Sequence, residues 1–280
     1  MEVEKTFFEV KKAISAGNID AAEAMLLSLA SSSGDPFVRI QCASTLMIIG
    51  RNTSSENVLE ELSENLPERT VTLFQVAQAM RGLGRADLAA GILADLGEED
   101  AVMREYALVL NMLGRYGESV SVVEKISRPS ISDRVLMADG LSSSGESRKA
   151  LELTESLLND FPESYDVKRS RCTALIFAGM EKEAVKFARV LLKNDKNSSD
   201  ANAIAAYVMH ADGKSQSAGA FASKALRSDP SHIGAMEMLA LSLMDKGKLR
   251  EASIVAGAMN EKEPGNPAAV RILKECGGKQ

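Results

Sequence analysis

Tryptophan is absent from this 280-residue chain, aromatic residues make up only 4% of it, and histidine occurs twice. Aromatic side chains supply much of the buried area in many cores, so the core here must be packed from small and aliphatic residues. The chain is otherwise ordinary, with 45% hydrophobic and 26% charged residues. No apolar run approaches the roughly 20 residues that a membrane-spanning helix needs. The stretch from Met1 to Lys12 is charged and has no apolar signal core. These absences lead to the expectation of a cytoplasmic protein with no membrane partner.

Chemistry-bearing residues are equally sparse. Cys42, Cys172 and Cys276 lie far apart with no metal or redox spacing, and Cys42 and Cys172 fall at buried helix positions, as small core residues do. His210 and His232 have no carboxylate or cysteine at ligand spacing. Asp212 follows His210 by two residues, and side chains two apart on a helix diverge. Gly82-Leu83-Gly84 has two glycines of a phosphate loop without the third and without a preceding strand. No Ser, Cys or Lys has an evident activating base. The chain is therefore expected to be no enzyme and to use no metal or cofactor. Residues 1–140 hold 13 basic against 21 acidic residues, and residues 141–280 hold 20 against 18. An acidic front half argues against a nucleic-acid surface, which needs a basic stripe to neutralise phosphates.

What the chain does have is a rhythm. Gly17, Gly50, Gly84, Gly114, Gly145, Gly179, Gly213 and Gly247 follow one another at 33, 34, 30, 31, 34, 34 and 34 residues. Seven residues before each glycine stand Val10, Ala43, Ala77, Ala107, Ala138, Cys172, Ala206 and Ala240. Five after it stand Ala22, Ser55, Ala89, Ser119, Ala150, Ala184, Ala218 and Ala252. Two columns of small residues flanking a turn are what two antiparallel helices need where their backbones approach closely. Bulk stands four residues before the glycine, as at Leu46, Met80 and Leu110, and twelve after it, as at Leu62, Leu96 and Leu157. Each repeat is thus predicted to be helix, glycine turn, helix. Pro67, Pro162, Pro230 and Pro264, each seventeen residues after its glycine, close four of the repeats.

This pattern resembles the tetratricopeptide repeat family, with small residues at the interhelical contact, an alanine in the second helix and a terminal proline every 34 residues. The resemblance covers Thr6 to Pro264. It departs from the family where an early aromatic is usual, because Thr6, Arg39, Leu73, Met103, Arg134, Lys168, Asn202 and Met236 occupy that position. The short third and fourth intervals predict shorter second helices and looser contacts, with a soft joint between Ala94 and Ser132.

The expected fold is all-α, a single α-solenoid over residues 1–280, with helix pairs at about 3–35, 36–69, 70–99, 100–130, 131–164, 165–198, 199–232 and 233–265. The resemblance implies a right-handed superhelix. A last helix, 266–277, carries Lys274 where earlier repeats are small, which predicts a polar cap on the stack.

In the resembled family the first helices line a concave wall that holds an extended peptide or a partner helix. The matching positions here are Phe7, Lys11, Ile40, Ser44, Phe74, Gln78, Arg104, Asn111, Asp139, Arg169, Thr173, Phe177, Tyr207 and His210, with Ile14, Met47, Arg81, Leu108, Glu237 and Leu241 beside them. Phe7, Phe74 and Phe177 fit equally well as packing between neighbouring repeats, and Met47 and Leu108 fit better as core. Some relatives clamp a C-terminal carboxylate with Lys and Asn on successive repeats. No such pair stands here. The expected function is a protein-interaction scaffold that binds a protein or peptide partner along this wall. A peptide or small-molecule sensor, or a regulatory subunit of an enzyme complex, are the alternatives.

Overall fold

The computed structural model describes residues 2–66, 70–263 and 265–277, so Pro67 and Pro264 lie outside the described residues. It divides into two compact units at Gly97. Among the described residues it contains seventeen α-helices and no strand.

The first unit, residues 1–97, is three helix pairs: α1 (Glu2–Ser15) with α2 (Ile19–Ser32), α3 (Pro36–Ile48) with α4 (Asn52–Glu64), and α5 (Thr70–Gly82) with α6 (Ala86–Ala94). The second, residues 98–280, holds five pairs and a further helix: α7 (Asp100–Met112) with α8 (Tyr116–Val123), α9 (Ile131–Ser143) with α10 (Ser147–Asp160), α11 (Tyr165–Phe177) with α12 (Glu181–Asn194), α13 (Ser199–Ala211) with α14 (Ser215–Ser228), α15 (Ile233–Asp245) with α16 (Leu249–Lys262), and α17 (Pro267–Gly277). In this second unit each second helix packs on the first helix of the next pair, and successive first helices also touch.

The turn is the same in all eight pairs. At Gly145, for example, φ is +88°, a left-handed conformation that costs other residues strain. The Gly145 N–H donates to the Ser142 carbonyl and the Glu146 N–H reaches back to the Leu141 carbonyl, the paired bonds of a Schellman motif. The residue four before the glycine therefore has two tasks: its carbonyl takes the closing bond, and its side chain fills the space beside the pair. Leu46, Met80 and Leu110 are fully buried there.

Both small columns are buried throughout. They face each other directly, as the two serines show: Ser55 Oγ donates to the Ala43 carbonyl and Ser119 Oγ to the Ala107 carbonyl, each at 2.7 Å. A hydroxyl here spans the gap between helices that alanine leaves to bare contact. Twelve residues after the glycine, Leu62 and Leu157 complete the core, each worth about 1.5–3 kcal/mol of transfer free energy on full burial.

First helices begin with a side-chain cap at a strict period. Ser130, Ser164, Ser198, His232 and Asn266, spaced by 34, each accept the N–H three residues on. Such caps satisfy one of the helix's free N–H groups, and losing one typically costs about 1 kcal/mol.

The short intervals do shorten the second helices, to 9 residues in α6 and 8 in α8, against 13 or 14 in every other pair. The contacts after α8 are not loose, however. Asp100 accepts the N–H groups of Ser127 and Arg128 at 3.0 and 3.3 Å, and Arg104 donates to the Arg128 carbonyl at 2.8 Å, tying the α8–α9 connection to α7. Lys274 on α17 is exposed, while Ala269, Ile272 and Cys276 of that helix are buried against α15 and α16.

Candidate functional site

The first helices of the second unit lie side by side, so wall positions from neighbouring pairs come within reach of one another. Side chains four residues apart share a helix face, which sets Arg169 and Thr173 of α11 in one line. Asp139 of α9 accepts from Arg169 Nη2 at 2.6 Å and from Ser170 Oγ at 2.7 Å. Thr173 Oγ1 donates to the Arg169 carbonyl at 3.2 Å and stands 2.7 Å from the Tyr207 hydroxyl of α13.

The same linkage continues to either side. Arg104 Nε donates to Asp133 Oδ2 at 2.8 Å, joining α7 to α9. Asp245 of α15 lies 3.4 Å from His210 Nε2 of α13 and also accepts from Ser215. Arg271 of α17 reaches Glu237 of α15 at 3.5 Å. Five successive junctions between first helices thus carry a polar pair.

Electrostatics follow from the pairing. Burial opposes charge on Arg169, but Asp139 beside it more than offsets this and raises its pKa. Burial likewise opposes ionisation of Asp133, and hydrogen bonds from Arg104 and Ser130 outweigh it, leaving its pKa lowered. Burial raises the Tyr165 and Tyr207 hydroxyls. It also pushes the Cys172 thiol up to about 12 and Cys42 to about 11, so neither is a thiolate nucleophile.

His232 has a carboxylate neighbour that its own helix does not supply. Its Nδ1 accepts the Ala235 N–H at 3.2 Å, which places the ring proton on Nε2, 3.1 Å from Asp200 Oδ1. The Tyr165 ring meets it edge-on at 4.6 Å. Both imidazole nitrogens are engaged in holding α13, α15 and the helix cap. A Cβ on Gly234 would stand 2.1 Å from the Tyr165 hydroxyl, so this tyrosine occupies the space a side chain would take.

In the first unit the wall has another character. Phe7, Ile40, Ser44, Phe74 and Gln78 are partly buried and Lys11 is exposed. Met47, expected in the core, is 38% exposed, because it stands one residue past the buried Leu46 on the rim of α3. In the second unit Arg104, Asn111, Asp139, Arg169, Tyr207 and His210 are partly buried, Thr173 is 5% exposed, and Phe177 at the end of α11 is 54% exposed. The pairing among these residues escaped the sequence reading, which placed each residue on its own helix. The signal was present: Asp139 and Thr173 stand six residues before their glycines and meet residues ten and six before the next one.

Among the described residues, no group of three His, Cys, Asp or Glu could hold a metal ion, and no helix is long and apolar enough to cross a membrane. A shallow cavity of about 270 Å³ between α7 and α8 is lined by Tyr106, Leu110, Glu118, Ser121 and Lys125 among others. Glu118 there is already held by Arg115 at 2.7 Å.

Helix pairs of one period, small columns facing across a Schellman turn, and first helices packed in series are the features by which known folds can be compared. A tetratricopeptide repeat protein from Parabacteroides merdae superposes on 86% of this chain and 98% of its own, with a TM-score of 0.52 at 13% sequence identity. The fold is that of the tetratricopeptide repeat. A thermophilic protein of this repeat class from Thermus thermophilus aligns over 63% of this chain and 98% of its own, at 16% identity and a TM-score of 0.44. Yeast Tom70 aligns over 94% of this chain and 58% of its own, at 13% identity and a TM-score of 0.44. No family model and no curated protein sequence matches the chain. Its fold class is an all-α helical-repeat solenoid.

Proposed function

We propose that this chain is a protein-interaction scaffold that holds an extended peptide or partner helix along its first-helix wall. The observation that carries this reading is the contrast between the two stretches of wall. In residues 98–280 the polar wall groups other than Asn111 are paired with polar side chains of the neighbouring first helix, from Arg104 to His210. In residues 1–97 the wall offers the partly buried Phe7, Ile40 and Phe74, the more open Met47, and the exposed ammonium of Lys11, with Ser44 and Gln78 between them. Apolar anchors supply binding energy and amide or hydroxyl groups satisfy a ligand backbone. Phe177, exposed at the end of α11, adds an anchor of the same kind in the second unit.

The test is affinity capture from the native cell, followed by direct titration of the recovered partner. The F74A and I40A variants should weaken binding at least roughly tenfold, or about 1.4 kcal/mol. R148A, whose side chain points fully outward on α10, should leave it unchanged. Identical recovery by wild type and both wall variants, with their helical content intact, would refute the reading.

A further inference from the structure

Two second helices, equivalent in the repeat, carry opposite charge on the same face. On α12, Lys182, Lys186, Arg189 and Lys193 recur at four, three and four residues, which lines them along one side of the helix. All four are exposed, and none is in an ion pair or hydrogen bond with a described residue. At 1.5 Å rise per residue the stripe is about 16 Å long. Val190, 48% exposed, lies beside it. The two acids of α12, Glu181 and Glu183, both sit in its first turn, near the positive end of the helix dipole, and so leave the rest of the stripe uncompensated.

On α4 the sequence Asn52–Glu64 contains Glu56, Glu60, Glu61 and Glu64 and no basic residue. All four are exposed. Glu60 stands ten residues after its turn glycine and Glu64 fourteen, the offsets that Arg189 and Lys193 occupy on α12. Glu60 and Glu61 are partly engaged with Arg85 and Arg39, at 3.4 and 3.3 Å, while Glu56 and Glu64 form no ion pair with a described residue.

We propose that a second copy of this chain docks its acidic α4 against the basic α12. The two stripes are opposite in sign, Glu56 to Glu64 spanning about 12 Å against the roughly 16 Å from Lys182 to Lys193, and both belong to second helices, which leaves the first-helix wall out of the contact. The contact joins two different faces, α4 of one copy and α12 of the other, so each copy carries both an acidic and a basic docking face. Exposed ion pairs are individually weak and screened by salt, so the assembly is weak, concentration-dependent and sensitive to salt. It needs nothing from the peptide-binding reading and stands or falls apart from it.

Sedimentation velocity of the full chain tests this. At low salt the weight-average sedimentation coefficient should rise with protein concentration. In 1 M salt, where the Debye length shrinks to about 3 Å, it should stay at the monomer value. The triple variant K186E/R189E/K193E and the double variant E56K/E64K should each stay monomeric at low salt, with unchanged circular dichroism. Mixed together they should associate again, because each supplies the face the other has lost. Wild type that remains monomeric at low salt overturns the proposal, even if a poly-glutamate peptide binds α12, since that result assigns the stripe to an acidic partner from another chain. Self-association that survives either charge reversal, or that is indifferent to salt, overturns it as well.

Discussion

Three kinds of constraint act on single residues here, and they are separable by mutation. Gly145 is needed for its conformation: φ is +88° and a Cβ would meet nothing within 4 Å. Gly234 lies in the first turn of α15 and is needed for room, because Tyr165 fills the place of its side chain. Ser55 and Ser119 keep the small column while adding a hydrogen bond across it. Gly145→Ala should therefore cost about 1–2 kcal/mol in urea unfolding whatever stands nearby. Gly234→Ala should destabilise the wild type, yet gain up to about 1 kcal/mol once Tyr165 is replaced by Ala, since a helix prefers alanine to glycine when space permits. A penalty of equal size in both backgrounds would show that Tyr165 is not the obstacle. The glycine and alanine columns were legible in sequence because they obey one period. Tyr165 against Gly234 was not, because that contact joins residues two repeats apart and depends on where a long side chain comes to rest.

At the scale of helices, side-chain hydrogen bonds gather at the helix ends and in the links between first helices. Ser130 and Asp133 form a reciprocal capping box on α9, and Asp133 also takes the Arg104 guanidinium from α7. One carboxylate thus caps its own helix and fastens it to the preceding one. Its lowered pKa fixes the sign of a pH effect. A carboxylate that holds its charge better folded than unfolded contributes stability above its unfolded pKa of about 3.9, and that contribution is lost as pH falls through the folded value. Unfolding free energy should accordingly be level near pH 7 and fall below about pH 4, and Asp133→Asn should show a smaller acid-induced loss than wild type. Urea titrations of both proteins at pH 7 and pH 3 make the comparison, and parallel losses would mean that other carboxylates dominate. The order of helices, their turns and the brevity of α6 and α8 could be foreseen from glycine spacing. The links could not be foreseen one helix at a time, since Arg104 meets Asp133 and Asp139 meets Arg169 only after two helices have packed.

The whole molecule is two units, each with its own buried interior. Residues 1–97 bury Leu26, Leu46, Leu59, Leu62, Met80 and Leu93, and residues 98–280 bury Leu110, Leu157, Ile204, Met259 and Ile272. The first unit holds three helix pairs, about the number at which stacked repeats become stable alone, and the second holds five pairs and α17. The link from α6 to α7 runs through Asp95, Gly97, Glu98 and Glu99, all exposed, with Gly97 at φ +101°. Few core contacts depend on sequence far away, since each pair packs chiefly on its neighbours. Each unit produced separately should therefore be helical and unfold cooperatively in urea. The larger unit should show the greater dependence on denaturant, because that slope grows with the surface exposed. Circular dichroism and urea titration of residues 1–97 and 98–280 decide the matter. A 98–280 fragment without helical signal would mean that its repeats need the chain before them, and a sloping transition in place of a cooperative one would mean that the five pairs melt one after another, as independent elements of a linear array do.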